Sequence, residues 1–193
     1  MWESAAATGI VYGIGILEAL REASIETHLA VSKAGDMTRA YETALSSQQL
    51  PRRADVTHAI GDVRAAIAIG SFRTMGMVIA PRFVKTVAEI ANRVTSSFVA
   101  RAAYVVLKER RRLVLLLRES PLTAIHSRNM LAVTESGGVI APPVPAFLRS
   151  SSDLDDVVEH TVGGVLDLWY RHRLSSLGRE VEGGYLRPSR STF

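Results

Sequence analysis

Residues 112–122 read RLVLLLRESPL. Five consecutive apolar residues, Leu113 to Leu117, stand between charged flanks. A run this short, without alternation, fits a strand covered on both faces, as the strands of a parallel sheet are. Arg118 and Glu119 follow it directly. In open α/β sheets, ligands bind outside the carboxyl ends of the strands. A charged pair there carries more information than a charged pair on a helix surface.

Reading outward from this strand gives alternating elements. MGMVIAP, 75–81, is a second buried strand, stopped by its proline. Residues 84–107 hold one or two helices. Downstream, Thr123 to Glu135 reads as a helix. GGVIAPPVP, 137–145, is a short strand running into a rigid proline loop. Asp153 to Trp169 is the last helix, with Ser152 or Asp153 as N-cap. Upstream, Ile10 to Ala23 is an amphipathic helix with Ile10, Ile14, Leu17 and Leu20 near one face. IETHLAV, 25–31, is a strand, 36–46 a helix, and 47–60 mostly loop. Strands separated by helices imply a doubly wound, mostly parallel sheet in a three-layer, Rossmann-like α/β domain. Residues 1–170 form that domain, and the Arg- and Ser-rich stretch 171–193 is expected to be a basic, mobile tail. The start is unusual. A doubly wound domain ordinarily opens with a buried strand feeding a glycine-rich turn, but this chain opens MWESAAATG. The first strand is stunted, or the natural start lies upstream of Met1.

Composition excludes several classes of function. Of 193 residues, 47% are hydrophobic and 22% charged, enough for a real core. No apolar run approaches the ~20 residues that span a bilayer, and the N-terminus lacks a signal-peptide layout, so the expected compartment is the cytoplasm. The absence of cysteine removes disulfides, thiolate metal sites and cysteine nucleophiles. The five histidines form no i, i+4 pair and no close cluster with carboxylates, so no metal site is expected. A net charge of +4 and a pI near 9.8 raise nucleic-acid binding. However, much of the excess sits in Lys108–Arg112 and the tail arginines, with no aromatic–basic interleaving. An anionic small ligand fits better.

Four places have chemistry to offer. Thr8-Gly9 opens the first helix, where a hydroxyl, a glycine and free N–H groups can bind an anion or serve as an ordinary cap. Ser32-Lys33 follows a strand, as a surface turn or a ligand contact. Arg101 and Lys108 are two turns apart on one helical face, a solvated basic stripe in the plain reading. Arg118-Glu119 is the pair already noted.

Five segments, ATGIVYGIGILEALRE (7–22), ETHLAVSKAG (26–35), GSFRTMGMVIAP (70–81), VARAAYVVLKERRRLVLLLRESPL (99–122) and GGVIAPPVPAF (137–147), together resemble the UbiX flavin prenyltransferase family, in register from about residue 5 to about 170. The resemblance implies a flavodoxin-like FMN-binding fold. It also implies transfer of a dimethylallyl group from a prenyl monophosphate to N5 and C6 of reduced FMN. The prenylated FMN would serve a UbiD-type decarboxylase. It further implies a trimer-based homo-oligomer, as large as a dodecamer, with sites at subunit interfaces. By residue, it implies that Ala7, Thr8, Gly9, Ser32, Thr86 and Arg118 hold FMN. Arg101 and Lys108 would bind the prenyl phosphate, while Glu119 and Glu42 would act near the reacting flavin.

The sequence departs from the family at several positions. Ala6 stands for the loop's first glycine, Ile69 for a serine and Tyr104 for an aspartate. Arg82 and Phe83 replace a cysteine and a serine, Leu148 a tyrosine and Gly164 an arginine. The last two are phosphate donors in the family, and each charge-assisted bond is worth roughly 1.5–3 kcal/mol. Arg149 is positioned in sequence to compensate in part. The alternative is therefore an FMN-binding homologue with lost or altered prenyl transfer. A cysteine-decarboxylase relative would need an asparagine in the proline loop, which PRFVKT lacks, and His126 reads as a helix-surface histidine.

Overall fold

The computed structural model describes residues 8–61, 72–82, 84–145 and 153–176. Among them, α1 spans Ile10–Glu22, α2 Lys33–Glu42, α3 Val84–Ala91, α4 Phe98–Lys108, α5 Ala124–Glu135 and α6 Leu154–Ser176. The strands are β1 (His28–Ala30), β2 (Val56–His58), β3 (Gly76–Arg82), β4 (Arg112–Leu117) and β5 (Val139–Ile140). All pairings are parallel. They form two groups, β1-β2 and β3-β4-β5.

β4 is the centre of the larger group, and Leu113 to Leu116 have no exposed surface. Its odd residues, with Ile79 of β3, face Val87, Phe98, Ala103 and Val133 of α3, α4 and α5. Its even residues, Val114 and Leu116, face Tyr12 and Ile16 of α1 and Val158 and Val162 of α6. This two-sided burial is why the strand reads as an unbroken apolar run. The β3–β4 register slips between Ile79 and Arg82. Pro81, which has no N–H for the ladder, lies in that interval.

A third cluster places Ile10, Ile14 and Leu17 of α1 against Leu50, with Leu29 and Val31 packed on it. Glycine lets α1 approach β3 closely: a Cβ on Gly13 would lie 3.1 Å from the Ala80 carbonyl oxygen.

The three-layer α/β expectation holds, with four local corrections. α2 begins at Lys33 rather than 36, because the Ser32 hydroxyl caps it by accepting from the Gly35 N–H at 3.1 Å. The stretch expected as loop carries a 3-10 turn, Pro51–Arg53, and β2. β2 was invisible to apolar patterning because Val56 and Thr57 are exposed. The predicted 25–31 strand shortens to β1. α6 continues to Ser176, seven residues past Trp169, with Asp153 capping it through the Asp156 N–H at 3.0 Å.

Candidate functional site

In a parallel sheet the carboxyl ends of the strands share one edge. Ser32 follows β1, Pro81 lies near the end of β3, and Arg118-Glu119 follow β4 at this edge. Gly9 joins them there, since a Cβ built on it would come 3.8 Å from the Pro81 Cβ. Gly9 is the N-cap of α1 and has φ 104°. This left-handed conformation strains any residue with a Cβ, which accounts for the glycine.

The N-terminus of α1 has no side-chain cap of its own. Glu42 supplies one from a distance of 33 residues. Its carboxylate accepts from the Gly9 N–H at 2.7 and 2.8 Å and from the Ile10 N–H at 2.9 Å. Glu42 ends α2, where a negative charge opposes its own helix dipole. The positive end of α1 reverses that penalty. The N–H groups assigned to an anionic ligand do bind an anion, and that anion is the chain's own carboxylate.

Glu42 is held in place by a residue that sequence reasoning missed. Arg39 is 7% exposed, donates to Asp36 at 2.7 Å and also bonds the Leu45 carbonyl. These contacts tie the end of α2 to the following loop. The signal in the sequence was the i, i+3 pair of Asp36 and Arg39. Sequence spacing also concealed a histidine pair. The β1–β2 pairing brings His28 Nδ1 within 2.9 Å of His58 Nε2, and Glu26 lies 3.0 Å from His28 Nε2. No group of three potential metal ligands occurs among the described residues, and the expectation of no metal was made on the sequence alone.

The remaining assigned residues fall in three places. Thr86 is 2% exposed in the first turn of α3, just beyond Pro81. Arg118 and Glu119 are exposed past β4, with Glu119 accepting only from its neighbour's N–H, that of Ser120, at 3.2 Å. Arg101 and Lys108 are exposed on α4, with Tyr104 between them at 38% exposure. The other face of α4 is the buried one, where Phe98, Ala102 and Val106 lie. Lys108 leads through a short turn into the amino end of β4. Among the described residues, no hydrogen bond or ion pair joins this stripe to the Gly9–Glu42 site, and none of Arg101, Lys108 and Arg118 forms an ion pair. A single chain thus collects Thr8, Gly9, Ser32, Glu42 and Thr86 around one edge and leaves the two basic residues facing outward. Ala7, Ile69, Phe83, Leu148 and Arg149 lie outside the described residues. Gly164 faces open space, with nothing within 4 Å of a Cβ placed on it. His126 completes a capping box with Thr123 at the start of α5, a structural role.

The flavoprotein family model matches residues 1–165. The flavin prenyltransferase UbiX of Neisseria meningitidis serogroup B is 48% identical over 163 residues, 84% of this chain and 86% of the relative. That of Escherichia coli K12 is 48% identical over 162 residues, 83% and 86% respectively. Among solved structures, AnUbiX (PadA1) in complex with FMN and dimethylallyl pyrophosphate superposes with a TM-score of 0.84 at 43% identity, covering 94% of this chain and 95% of that one. A dodecameric FMN-dependent Ubix-like decarboxylase from Escherichia coli O157:H7 gives 0.83 at 44%, covering 86% and 91%. A parallel α/β sheet with its polar groups gathered at the carboxyl edge, together with identity at this level along most of both chains, settles the affiliation: this chain belongs to the UbiX flavin prenyltransferase family.

Proposed function

We propose that this protein is a flavin prenyltransferase that joins a dimethylallyl group from a prenyl monophosphate to reduced FMN, yielding prenylated FMN. One observation carries this reading. Relatives named for that activity are 48% identical over more than four-fifths of the chain. The donor set at α1 fits an anionic cofactor, because two converging N–H groups already hold a carboxylate there. Thr8, Gly9, Ser32, Thr86 and Arg118 would hold FMN, with the backbone of Ala7 beside them. Glu42 has to yield its two N–H groups if the flavin phosphate takes them.

Bound reduced FMN would supply the nucleophilic N5 and C6 atoms. The chain's own residues would supply charge and proton control. Arg101 and Lys108 would neutralise the departing phosphate. Glu119, fixed by the buried strand before it, would hold or move the proton at N5, and Glu42 would act near the reacting flavin once it leaves the Gly9 and Ile10 N–H groups. Arg101 and Lys108 are about 10 Å apart along α4. Both are exposed, on the side of α4 away from its buried face, where a neighbouring copy would meet them. This supports a homo-oligomer, at least a trimer and up to a dodecamer, whose sites are completed between copies. We extend the reading to a UbiD-type decarboxylase as recipient of the product, and to the cytoplasm as the compartment. No helix among the described residues is long and apolar enough to cross a membrane.

Anaerobic incubation with FMN, a reductant and dimethylallyl monophosphate tests the activity. The bound flavin should gain the mass of one dimethylallyl unit, and unmodified FMN after prolonged turnover would overturn the proposal. Gly164 favours a second reading, an FMN-binding homologue without transfer, since α6 offers no cation at that position. The space around Gly164 admits an arginine, so Gly164→Arg with Leu148→Tyr should create activity under that reading.

A further inference from the structure

The outward face of α4 carries more than its two cations. Within Phe98–Lys108 only Arg101, Tyr104 and Lys108 are exposed, and every other residue is buried or partly buried. At about 100° of turn per residue, the three fall within an arc of about 60° and form one stripe. Along the axis Tyr104 stands about 4.5 Å from Arg101 and about 6 Å from Lys108. An anion that bridges both cations therefore lies over the residue between them.

The charge on this stripe is uncompensated. α4 contains no acidic residue. The carboxylates nearest in sequence are engaged elsewhere: Glu109 pairs with Arg111, and Glu89 accepts from the Ser97 hydroxyl at 2.9 Å. Arg101 and Lys108 form no ion pair among the described residues. Tyr104 is 38% exposed, and its hydroxyl has no hydrogen-bond partner among those residues either. Two free cations and a free phenolic donor on one face suit a tetrahedral oxyanion, which accepts several hydrogen bonds at once.

We propose that Tyr104 is a third ligand of the prenyl phosphate, its hydroxyl donating to a non-bridging oxygen held between Arg101 and Lys108. The inference rests on the reading above in taking the anion on this stripe to be the prenyl phosphate. The cations supply charge and the phenol supplies direction, since a hydroxyl engages one oxygen and fixes how the phosphate is turned. The phosphate is anionic before and after the allyl group leaves. The contact therefore exists in the ground state, and its loss raises KM more than it lowers kcat.

Calorimetric titration of dimethylallyl monophosphate into the oligomer loaded with oxidised FMN tests this without turnover. Tyr104→Phe keeps the ring and removes only the donor. Its Kd should rise about tenfold or more, the scale of one hydrogen bond to a charged group. FMN affinity and particle mass should match the parent. Inorganic phosphate should lose affinity as well, which separates the phosphate contact from any contact with the prenyl tail. An unchanged Kd for dimethylallyl monophosphate would overturn the proposal. So would a lower particle mass in Tyr104→Phe, which would place the hydroxyl in the contact between copies instead. A parent that binds dimethylallyl monophosphate tightly but makes no prenylated FMN once reduced would overturn the transfer reading alone, since the affinity difference is read with oxidised flavin. A parent that binds none would overturn both.

Discussion

β4 and β1 belong to two separate parallel groups and are held by different forces. β4 is six residues long, paired on both sides, and its Leu113–Leu116 are fully buried. β1 is three residues long, half-buried, and paired with a strand whose first two residues are exposed. What fixes β1 to β2 is largely polar. Thr27 donates its N–H and hydroxyl to Asp55 at 2.7 and 2.8 Å, and the Val56 N–H bonds the Thr27 carbonyl at 3.0 Å. The site draws on both halves. Glu119 is placed by a buried backbone, whereas Glu42 is placed by hydrogen bonds and by the helix that Arg39 anchors. Packing should make the first half insensitive to solvent conditions, while the polar half should respond to pH and competing ions.

The largest effect is expected in the packed half. Leu115→Ala should cost about 2–5 kcal/mol in urea unfolding followed by circular dichroism. Leu29→Ala on β1 should cost under about 2 kcal/mol, since Leu29 is only partly buried. Equal losses would erase the distinction.

Next is Glu119→Gln, which keeps shape and removes charge and proton. Prenyl transfer should fall at least about a hundredfold, roughly 2.7 kcal/mol in the barrier, with FMN binding nearly retained. Arg118→Ala should instead weaken flavin binding itself. Single-turnover kinetics alongside flavin titration separate the two outcomes.

Glu42→Ala should cost about 1–2 kcal/mol, the scale of a lost helix N-cap. It also frees the Gly9 and Ile10 N–H groups, so inorganic phosphate should raise the melting temperature of the variant more than that of the parent. An equal response to phosphate would show that the carboxylate does not compete for that position.

The smallest effect is expected at Asp55. Hydrogen bonds from the Thr27 backbone and then its side chain hold the Asp55 carboxyl below its ordinary value of 3.8, with Arg21 adding attraction. A group depressed on folding stabilises above its unfolded pKa and loses that contribution as pH falls through the folded value. Asp55→Asn should therefore be less stable than the parent at pH 7, and the gap should close below about pH 3.8. A gap that persists at low pH would assign the loss to packing rather than charge.

Legibility in the sequence followed the same division. Residues 112–117 were read as a strand to the residue, because two-sided burial leaves an apolar run that no helix period explains. Thr123–Glu135 was read as a helix, and the start of α1 was plain from Ile10, Ile14 and Leu17. β2 was missed because its order comes from pairing, and its exposed Val56 and Thr57 leave no hydrophobic trace. The candidate residues at the carboxyl edge were named from resemblance, and their grouping there follows from strand direction alone.

Sequence by itself determined the layers, the parallel sheet and the carboxyl edge as the place for chemistry, because periodicity and burial are local properties of the chain. Tertiary structure alone decided that the Glu42 carboxylate occupies the start of α1, that His28 meets His58, and that Arg101 and Lys108 turn outward. Each of these depends on bringing together residues 30 or more positions apart, or on which face of a helix the sheet covers, and neither is encoded within a short stretch of sequence.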